Sequence, residues 1–186
     1  MKIAIAQLNP TIGNLASNAQ QVLEAAKQAM AAGAQLMVTT EMVLCGYPPR
    51  DLLLLPSFVQ AMQETLAQLA EDMPPQLAVL VGLATSNPVA KEVGEKPLFN
   101  STALIHGGRV KQVLHKQLLP TYDVFEEHRY FAEGKGSYAF TLGQNGVQVH
   151  DAPDNGQPLE NPLRIGVTIC EDLWNDEAFW GGRSYP

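Results

Sequence analysis

The sequence predicts a single α/β domain in which helices pack on the faces of a β-sheet. Short runs of Val, Ile and Leu alternate with longer stretches in which apolar residues recur every three or four positions. This alternation is typical of strands and helices in a layered α/β fold. The chain has 186 residues, of which 46% are hydrophobic and 17% charged, as in an ordinary globular protein. We see no linker long enough to separate two domains.

The first half of the chain is predicted to contain two strands and two helices. Residues 2–8 form the first strand and residues 14–32 the first helix, which Gly33 ends. Residues 35–39 are predicted as a short buried strand. A second helix opens at Pro56, carries apolar residues at helical spacing and ends before the pair of prolines at 74–75.

The second half is predicted to be richer in strands. Residues 77–85 are continuously apolar, as buried strands are. Gly107-Gly108 lies between two strand-like runs and predicts a hairpin, because both central positions of a type I′ turn need positive φ. The segment 143–162 is predicted as loop with one edge strand at 147–149. Residues 164–169 then form a last strand, followed by a helix that places Leu173, Trp174 and Phe179 at apolar positions.

Charge and composition exclude several classes of function. The net charge of −7, with Lys and Arg scattered singly, argues against a nucleic-acid partner. The apolar runs are far shorter than the roughly 20 residues that span a bilayer, and the amino terminus lacks a signal-peptide pattern. Two cysteines without regular spacing predict free thiols in a reducing compartment, by default the cytoplasm. The four histidines show no metal-ligand spacing, and no phosphate-binding glycine motif is present.

Three reactive side chains are predicted to follow strand ends. Glu41 comes after the strand 35–39, Lys116 ends the second arm of the hairpin, and Cys170 ends the last strand. Because α/β sheets place their sites at the carboxyl ends of strands, these three side chains are candidates to converge. Together they could support acyl transfer, in which a thiolate attacks, a carboxylate removes the thiol proton and an ammonium stabilises the oxyanion.

Each of these residues also has a structural explanation. An acid in a turn is ordinarily solvated, and a buried cysteine commonly packs as a small hydrophobe. Lys116 shares a period-2 face with Val110 and Leu114, which predicts apolar surroundings, but Gln112 on the same face weakens that prediction.

The expected reactivity of the Cys170 thiol has opposing contributions. Backbone N–H groups at the start of a helix would lower its pKa, whereas Glu171 and Asp172 would raise it. These two acids could equally complement the helix dipole. A distant histidine partner for the thiol stays open. Cys45 could lie near Glu41, although packing is the favoured interpretation.

Three segments resemble, in order and spacing, the nitrilase superfamily of carbon–nitrogen hydrolases. They are "TTEMVLCGYPPRDLL" (39–53), "HKQLLPTYDVFEEHRYF" (115–131) and "GVTICEDLW" (166–174). Within that superfamily, "GYPPRDLL" and "LPTYDVFEEHRYF" are similar to the amino-terminal glutaminase domains of glutamine-dependent NAD synthetases. The resemblance spans nearly the whole chain, 1–186, and implies a nitrilase-like α-β-β-α sandwich.

The resemblance implies a role for each matched residue. Cys170 would be the nucleophile, Glu41 the general base and Lys116 the oxyanion stabiliser, with Glu127 as a second glutamate that supports them. The backbone N–H of Glu171 would also hold the oxyanion. The remaining implied residues line the glutamine pocket: Tyr47, Tyr122 and Phe125. Without the motif, aromatic packing under a loop would explain these three.

The activity implied by the resemblance is hydrolysis of the glutamine side-chain amide through a thioester, without a cofactor or metal. In the family the ammonia passes to a synthetase domain that uses ATP and Mg to convert deamido-NAD to NAD, and homo-oligomers form. That synthetase domain is not in this sequence, and we expect a glutaminase domain truncated on its carboxyl-terminal side. The alternatives are a stand-alone amidase for another small amide and a catalytically silent assembly module.

Overall fold

The fold consists of two stacked β-sheets, with helices on the outer face of the larger sheet. The computed structural model describes residues 1–136, 138–143, 146–150 and 163–174. The larger sheet has five strands in the order β1-β2-β3-β4-β5. The first three strands are parallel, and β3, β4 and β5 are antiparallel. Their bounds are β1 Ile3–Ala6, β2 Leu36–Thr39, β3 Ala78–Ser86, β4 Leu98–Ile105 and β5 Val110–His115.

Two long helices cover one face of this sheet, as the sequence predicts. Helix α1 spans Leu15–Ala31 and begins at Asn14, whose side chain accepts a hydrogen bond from the Ser17 N–H at 3.2 Å. Helix α2 spans Pro56–Asp72 with proline at its first turn. The shorter helices are α3 Ala90–Val93 and α4 Glu127–Tyr130, and 3-10 turns occupy Arg50–Leu54 and Cys170–Leu173. No helix among the described residues is long and apolar enough to cross a membrane.

The second sheet has three antiparallel strands in the order β7-β6-β8. They are β6 Ala139–Gly143, β7 Gly146–His150 and β8 Leu163–Gly166. Strand β7 contains the predicted edge strand, β6 was not predicted, and residues 151–162 of the predicted loop lie outside the described residues. An apolar layer joins the two sheets and includes Leu36, Leu80, Leu104, Leu114 and Phe140. The described layers are therefore helix, sheet and sheet, as expected for the predicted sandwich.

The predicted hairpin contains a β-bulge, which changes the face on which Val110 lies. Gly107 and Gly108 do form its turn with φ of 64° and 72°. The pairing then skips one residue, because Ile105 faces Val110 whereas Leu104 faces Gln112. Val110 consequently packs against the helix-side core, while Leu114 lies between the sheets. The prediction that Val110 shares a face with Leu114 and Lys116 is wrong, because a bulge shifts the alternation by one position.

The approach to Cys170 also differs from the prediction. Strand β8 ends at Gly166, so three residues outside any strand separate it from Cys170, and a 3-10 turn takes the place of the predicted helix start. Leu173 and Trp174 are exposed by 72% and 70% and do not pack as predicted. Phe179 lies outside the described residues.

Candidate active site

A buried ammonium group lies between two carboxylates at one edge of the five-stranded sheet. Lys116 follows β5 directly, and its side chain is fully buried. Its Nζ lies 2.8 Å from Glu41 Oε1 and 2.9 Å from Glu127 Oε1. Glu41 belongs to the turn after β2, and Glu127 is the first residue of α4. The structure thus brings together three of the four predicted catalytic side chains in direct contact.

The charges in this cluster set one another's protonation. Burial alone would lower the pKa of Lys116, but the charges and hydrogen bonds of Glu41 and Glu127 together raise it. The lysine is therefore an ammonium ion at neutral pH. Burial raises the pKa of Glu127, although Lys116 opposes that shift. The Lys116 ammonium thus pairs with two carboxylates. Glu127 is the more deeply buried of the two, because its side chain is 3% exposed and that of Glu41 is 19% exposed.

Asn100 is a member of the cluster that sequence reasoning missed. It lies on β4 and is fully buried. Its Nδ2 donates to Glu41 Oε1 at 2.6 Å and to Glu127 Oε2 at 3.3 Å. Since both contacts need an N–H donor, they fix the orientation of the amide. The available signal was a polar amide in the middle of the apolar strand "LFNSTALI", because a buried polar group needs partners.

Two glycines let the charged turns pack directly on neighbouring backbone. A Cβ at Gly82 on β3 would lie 2.5 Å from the Met42 nitrogen and 2.6 Å from the Thr40 carbonyl oxygen, the residues on either side of Glu41. A Cβ at Gly134 would collide with the His115 backbone, next to Lys116. These close approaches position the two turns and leave no room for a side chain.

Cys170 begins a 3-10 turn and is exposed, whereas Cys45 is buried. The φ of Cys170 is 47°, an uncommon backbone conformation for a residue with a side chain. Although the residue as a whole is exposed, partial desolvation of its thiol has the largest effect and raises its pKa. The charge of Glu41 raises this pKa further, whereas the charge of Lys116 lowers it. Of the two directions expected for this pKa, the raised one applies, although its main causes are burial and Glu41, and Glu171 contributes less. The sulfur is therefore protonated at neutral pH and needs a base before it can attack.

The two acids that follow Cys170 have specific partners. Glu171 is buried and accepts hydrogen bonds from the Tyr122 hydroxyl at 3.0 and 2.9 Å, one to each carboxylate oxygen. Asp172 is also buried and accepts hydrogen bonds from three backbone N–H groups. Both acids lie in the first turn, as predicted. Their hydrogen-bond partners include Gln117, Leu118 and Tyr122, which lie outside this four-residue 3-10 helix.

The three predicted pocket aromatics form one cluster. The ring of Phe125 lies 5.6 Å from the ring of Tyr122 and 6.4 Å from that of Tyr47. The Tyr47 hydroxyl donates to Glu127 Oε1 at 3.0 Å, and burial raises the pKa of this phenol, so it stays a donor. The cluster therefore contacts the lysine–carboxylate group through Tyr47 and the thiol turn through Tyr122.

Cys45 packs in the core, as favoured from the sequence. It is fully buried, its thiol donates to the Met42 carbonyl oxygen at 3.7 Å, and burial raises its pKa to about 12. Among the residues that the structure describes, no group of three or more His, Cys, Asp or Glu side chains could hold a metal ion.

The chain belongs to the carbon–nitrogen hydrolase family. Residues 2–180 match the sequence model of that family, which is described as "Carbon-nitrogen hydrolase". The glutamine-dependent NAD(+) synthetase of Synechocystis sp. is 52% identical over 98% of this chain and 30% of that protein. The corresponding synthetase of Acinetobacter baylyi is 35% identical over 94% of this chain and 27% of that protein. The resemblance predicted from the three sequence segments is confirmed.

Solved structures agree with this assignment. A glutamine-dependent NAD+ synthetase from Acinetobacter baumannii superimposes with a TM-score of 0.73 and 35% identity, covering 93% of this chain and 28% of that one. An amidase from Nesterenkonia sp. gives a TM-score of 0.63 over 93% of this chain and 56% of its own, and at 22% identity it supports the fold alone. The chain spans about 30% of the length of the curated relatives that it matches.

Proposed function

We propose that this chain is the glutamine-hydrolysing part of a glutamine-dependent NAD synthetase. The observation that carries the proposal is the buried Lys116 ammonium, which contacts two carboxylates at 2.8 and 2.9 Å, together with the aromatic cluster that links this group to the turn of Cys170. A nucleophile, a base and a fixed positive charge are the groups that amide cleavage through an acyl-enzyme requires.

The first half of the proposed reaction forms a thioester. Glu41, the more exposed of the two carboxylates, takes the Cys170 proton as the sulfur attacks the amide carbon of glutamine. The oxyanion is stabilised by Lys116 and by the backbone N–H of Glu171. The C–N bond then breaks, the proton passes from Glu41 to the leaving nitrogen, and ammonia departs.

The second half releases glutamate. Glu41 takes a proton from water as the water oxygen attacks the thioester, and the C–S bond breaks. The sulfur leaves as a thiolate and recovers the proton from Glu41. In this scheme Glu127 is too deeply buried to reach a substrate, so its role is to hold the lysine charged and in place.

The aromatic cluster is proposed to form the wall of the glutamine pocket. The cluster of Tyr47, Phe125 and Tyr122 contacts the lysine–carboxylate group through the Tyr47 hydroxyl and the thiol turn through the Tyr122 hydroxyl. The Glu171 carboxylate, held by Tyr122, supplies negative charge beside the nucleophile. Such a charge suits the α-ammonium group of an amino-acid substrate.

The fate of the ammonia follows from the relatives. Because they are named glutamine-dependent NAD(+) synthetases and this chain matches only 30% and 26% of their length, we infer that a synthetase part uses the ammonia. That part would use ATP and Mg to amidate deamido-NAD, within a cytoplasmic homo-oligomer. We propose no cofactor or metal for the amide-hydrolysing part itself.

The test compares two cysteine variants in the full-length protein that contains this chain. Cys170→Ala should abolish glutamate release from glutamine and glutamine-dependent NAD formation, while NAD formation from added ammonium continues. Cys45→Ala, which alters a buried thiol, is the matched control and should retain glutamine hydrolysis. Glutamate release by Cys170→Ala would overturn the nucleophile assignment. Faster hydrolysis of another small amide by the wild-type protein would favour the amidase alternative.

A further inference from the structure

One buried carboxylate connects the thiol turn to the strand end that carries the lysine. Asp172 is 1% exposed and lies two residues after Cys170. Its Oδ1 accepts hydrogen bonds from the N–H groups of Gln117 at 3.0 Å and Leu118 at 2.8 Å, the two residues that follow Lys116. Its Oδ2 accepts from the N–H of Ile169 at 3.0 Å, directly before Cys170.

This connection matters because the nucleophile and the cation are anchored to different sheets. Lys116 follows β5 of the five-stranded sheet, whereas Cys170 follows β8 of the three-stranded sheet. The two sheets share no paired strands among the described residues. Hydrogen bonds depend on both distance and angle, so three of them to one carboxylate restrict how the two strand ends can move relative to each other. Asp172 thus connects the two strand ends through Gln117 and Ile169, the neighbours in sequence of Lys116 and Cys170.

The same residue shapes the turn that presents the thiol. The Asp172 N–H donates to the Ile169 carbonyl oxygen at 3.1 Å, and Asp172 Oδ2 accepts the Ile169 N–H. These reciprocal bonds bracket Cys170, whose φ of 47° needs support from its surroundings.

Burial and hydrogen bonding have opposite effects on the pKa of the Asp172 carboxyl. Burial raises the pKa of this carboxyl even though three backbone N–H groups lower it. A folded-state pKa above the unfolded value means that the folded state favours the protonated acid more than the unfolded chain does. The three backbone N–H groups therefore offset part of the cost that burial places on the carboxylate form.

We infer that Asp172 is a positioning residue. It acts through the backbone of residues 117–118 and 169 and holds the Cys170 sulfur at a fixed position relative to Lys116 and Glu41. The inference rests on the proposed amide hydrolysis for its catalytic consequence. Its geometric content, the coupling between the thiol and the charged cluster, is independent of the substrate.

The first experiment measures glutamine hydrolysis by Asp172→Asn in the full-length protein. Asparagine has the same shape but presents an N–H₂ group in place of one carboxylate oxygen, so at least one of the backbone N–H groups loses its acceptor. We expect kcat per competent site to fall by about 10- to 100-fold with KM unchanged within about twofold. Competent sites are counted by covalent labelling with a chloroketone analogue of glutamine. Asp72→Asn, an exposed acid at the end of α2, is the control and should match the wild type.

The second experiment does not depend on glutamine as the substrate. The pKa of Cys170 is read from the pH profile of its alkylation by chloroacetamide, with and without Glu41→Gln, in the wild-type and Asp172→Asn backgrounds. Glu41→Gln should lower this pKa in the wild type, because the Glu41 charge raises it. In Asp172→Asn the same substitution should lower it by a smaller amount.

Two results would overturn the inference. An equal Glu41→Gln shift in both backgrounds would mean that Asp172 does not set the distance between the thiol and the cluster. A kcat per labelled site equal to that of the wild type would mean that any lost activity reflects lost folded protein. If the wild-type protein fails to hydrolyse glutamine, the proposed function fails, and the alkylation cycle still decides the role of Asp172.

Discussion

Removal of the buried cation should destabilise the sheet far more than removal of an exposed one with the same geometry. In Lys116→Met the Glu41 and Glu127 carboxylates lose an ammonium group at 2.8 and 2.9 Å, and methionine fills much of the vacated volume without charge. Breaking a buried ion pair by removing one partner costs about 3–5 kcal/mol, because it leaves uncompensated buried charge.

The chain offers a matched control in Lys135. Its Nζ lies 2.8 Å from Glu95 Oε1, the same distance as in the Lys116–Glu41 pair, but its side chain is 79% exposed against 0% for Lys116. Lys135→Met should leave the stability of the sheet unchanged within error, because solvent screens an exposed pair. The residue type, the substitution and the shortest ion-pair distance are the same, so the two variants differ in burial and in the second carboxylate that Lys116 contacts.

The assay is amide hydrogen exchange of peptides from β4 and β5 in the full-length protein, which reports the free energy of opening at the sheet itself. A loss of about 3–5 kcal/mol corresponds to roughly 140- to 3700-fold faster exchange in Lys116→Met, at 1.4 kcal/mol per factor of ten. Because the pKa of Lys116 is raised, its contribution is complete below the unfolded-state lysine pKa and is lost as pH rises through the folded-state value. The difference should therefore be constant from pH 6 to 8. Equal exchange in Lys116→Met and Lys135→Met would refute the reasoning.

Further predictions concern the thiol and the packing around Glu41. Glu41→Gln should abolish glutamine hydrolysis yet speed alkylation of Cys170 at pH 7, because loss of the acid's charge lowers the thiol pKa; slower alkylation would contradict this electrostatic account. In the wild type, chloroacetamide labelling of Cys170 should rise about tenfold per pH unit from pH 6 to 8, since the thiol pKa is raised; a plateau below pH 8 would contradict the shift. Gly82→Ala should reduce kcat by displacing the Glu41 turn, whereas Gly166→Ala, whose Cβ meets nothing within 4 Å, should not. Asn100→Leu should lower the free energy of unfolding by about 1–3 kcal/mol per lost carboxylate contact, measured by exchange at β4; a wild-type value would show that both contacts are dispensable.

Local chemistry in the sequence was enough to predict most elements of the fold. Apolar spacing predicted α1 and α2 to within two residues, because each helix must bury one face whatever it packs against. Gly107-Gly108 predicted the hairpin, because the turn needs positive φ at both positions. The positions of Glu41, Lys116 and Cys170 after predicted strands also identified them as candidate catalytic residues.

The tertiary structure decided how those candidates are held. Asn100 meets Glu41 across 59 residues of sequence, and Asp172 meets Gln117 across 55. Neither contact produces a periodic pattern in the sequence, since each depends on which strand ends meet once the sheets have formed. The direction of the Cys170 pKa shift was undecided for the same reason: it is a sum over charges and burial that adjoin only in the folded molecule. Periodicity records what a segment needs to bury, whereas the site depends on which distant segments are buried beside it.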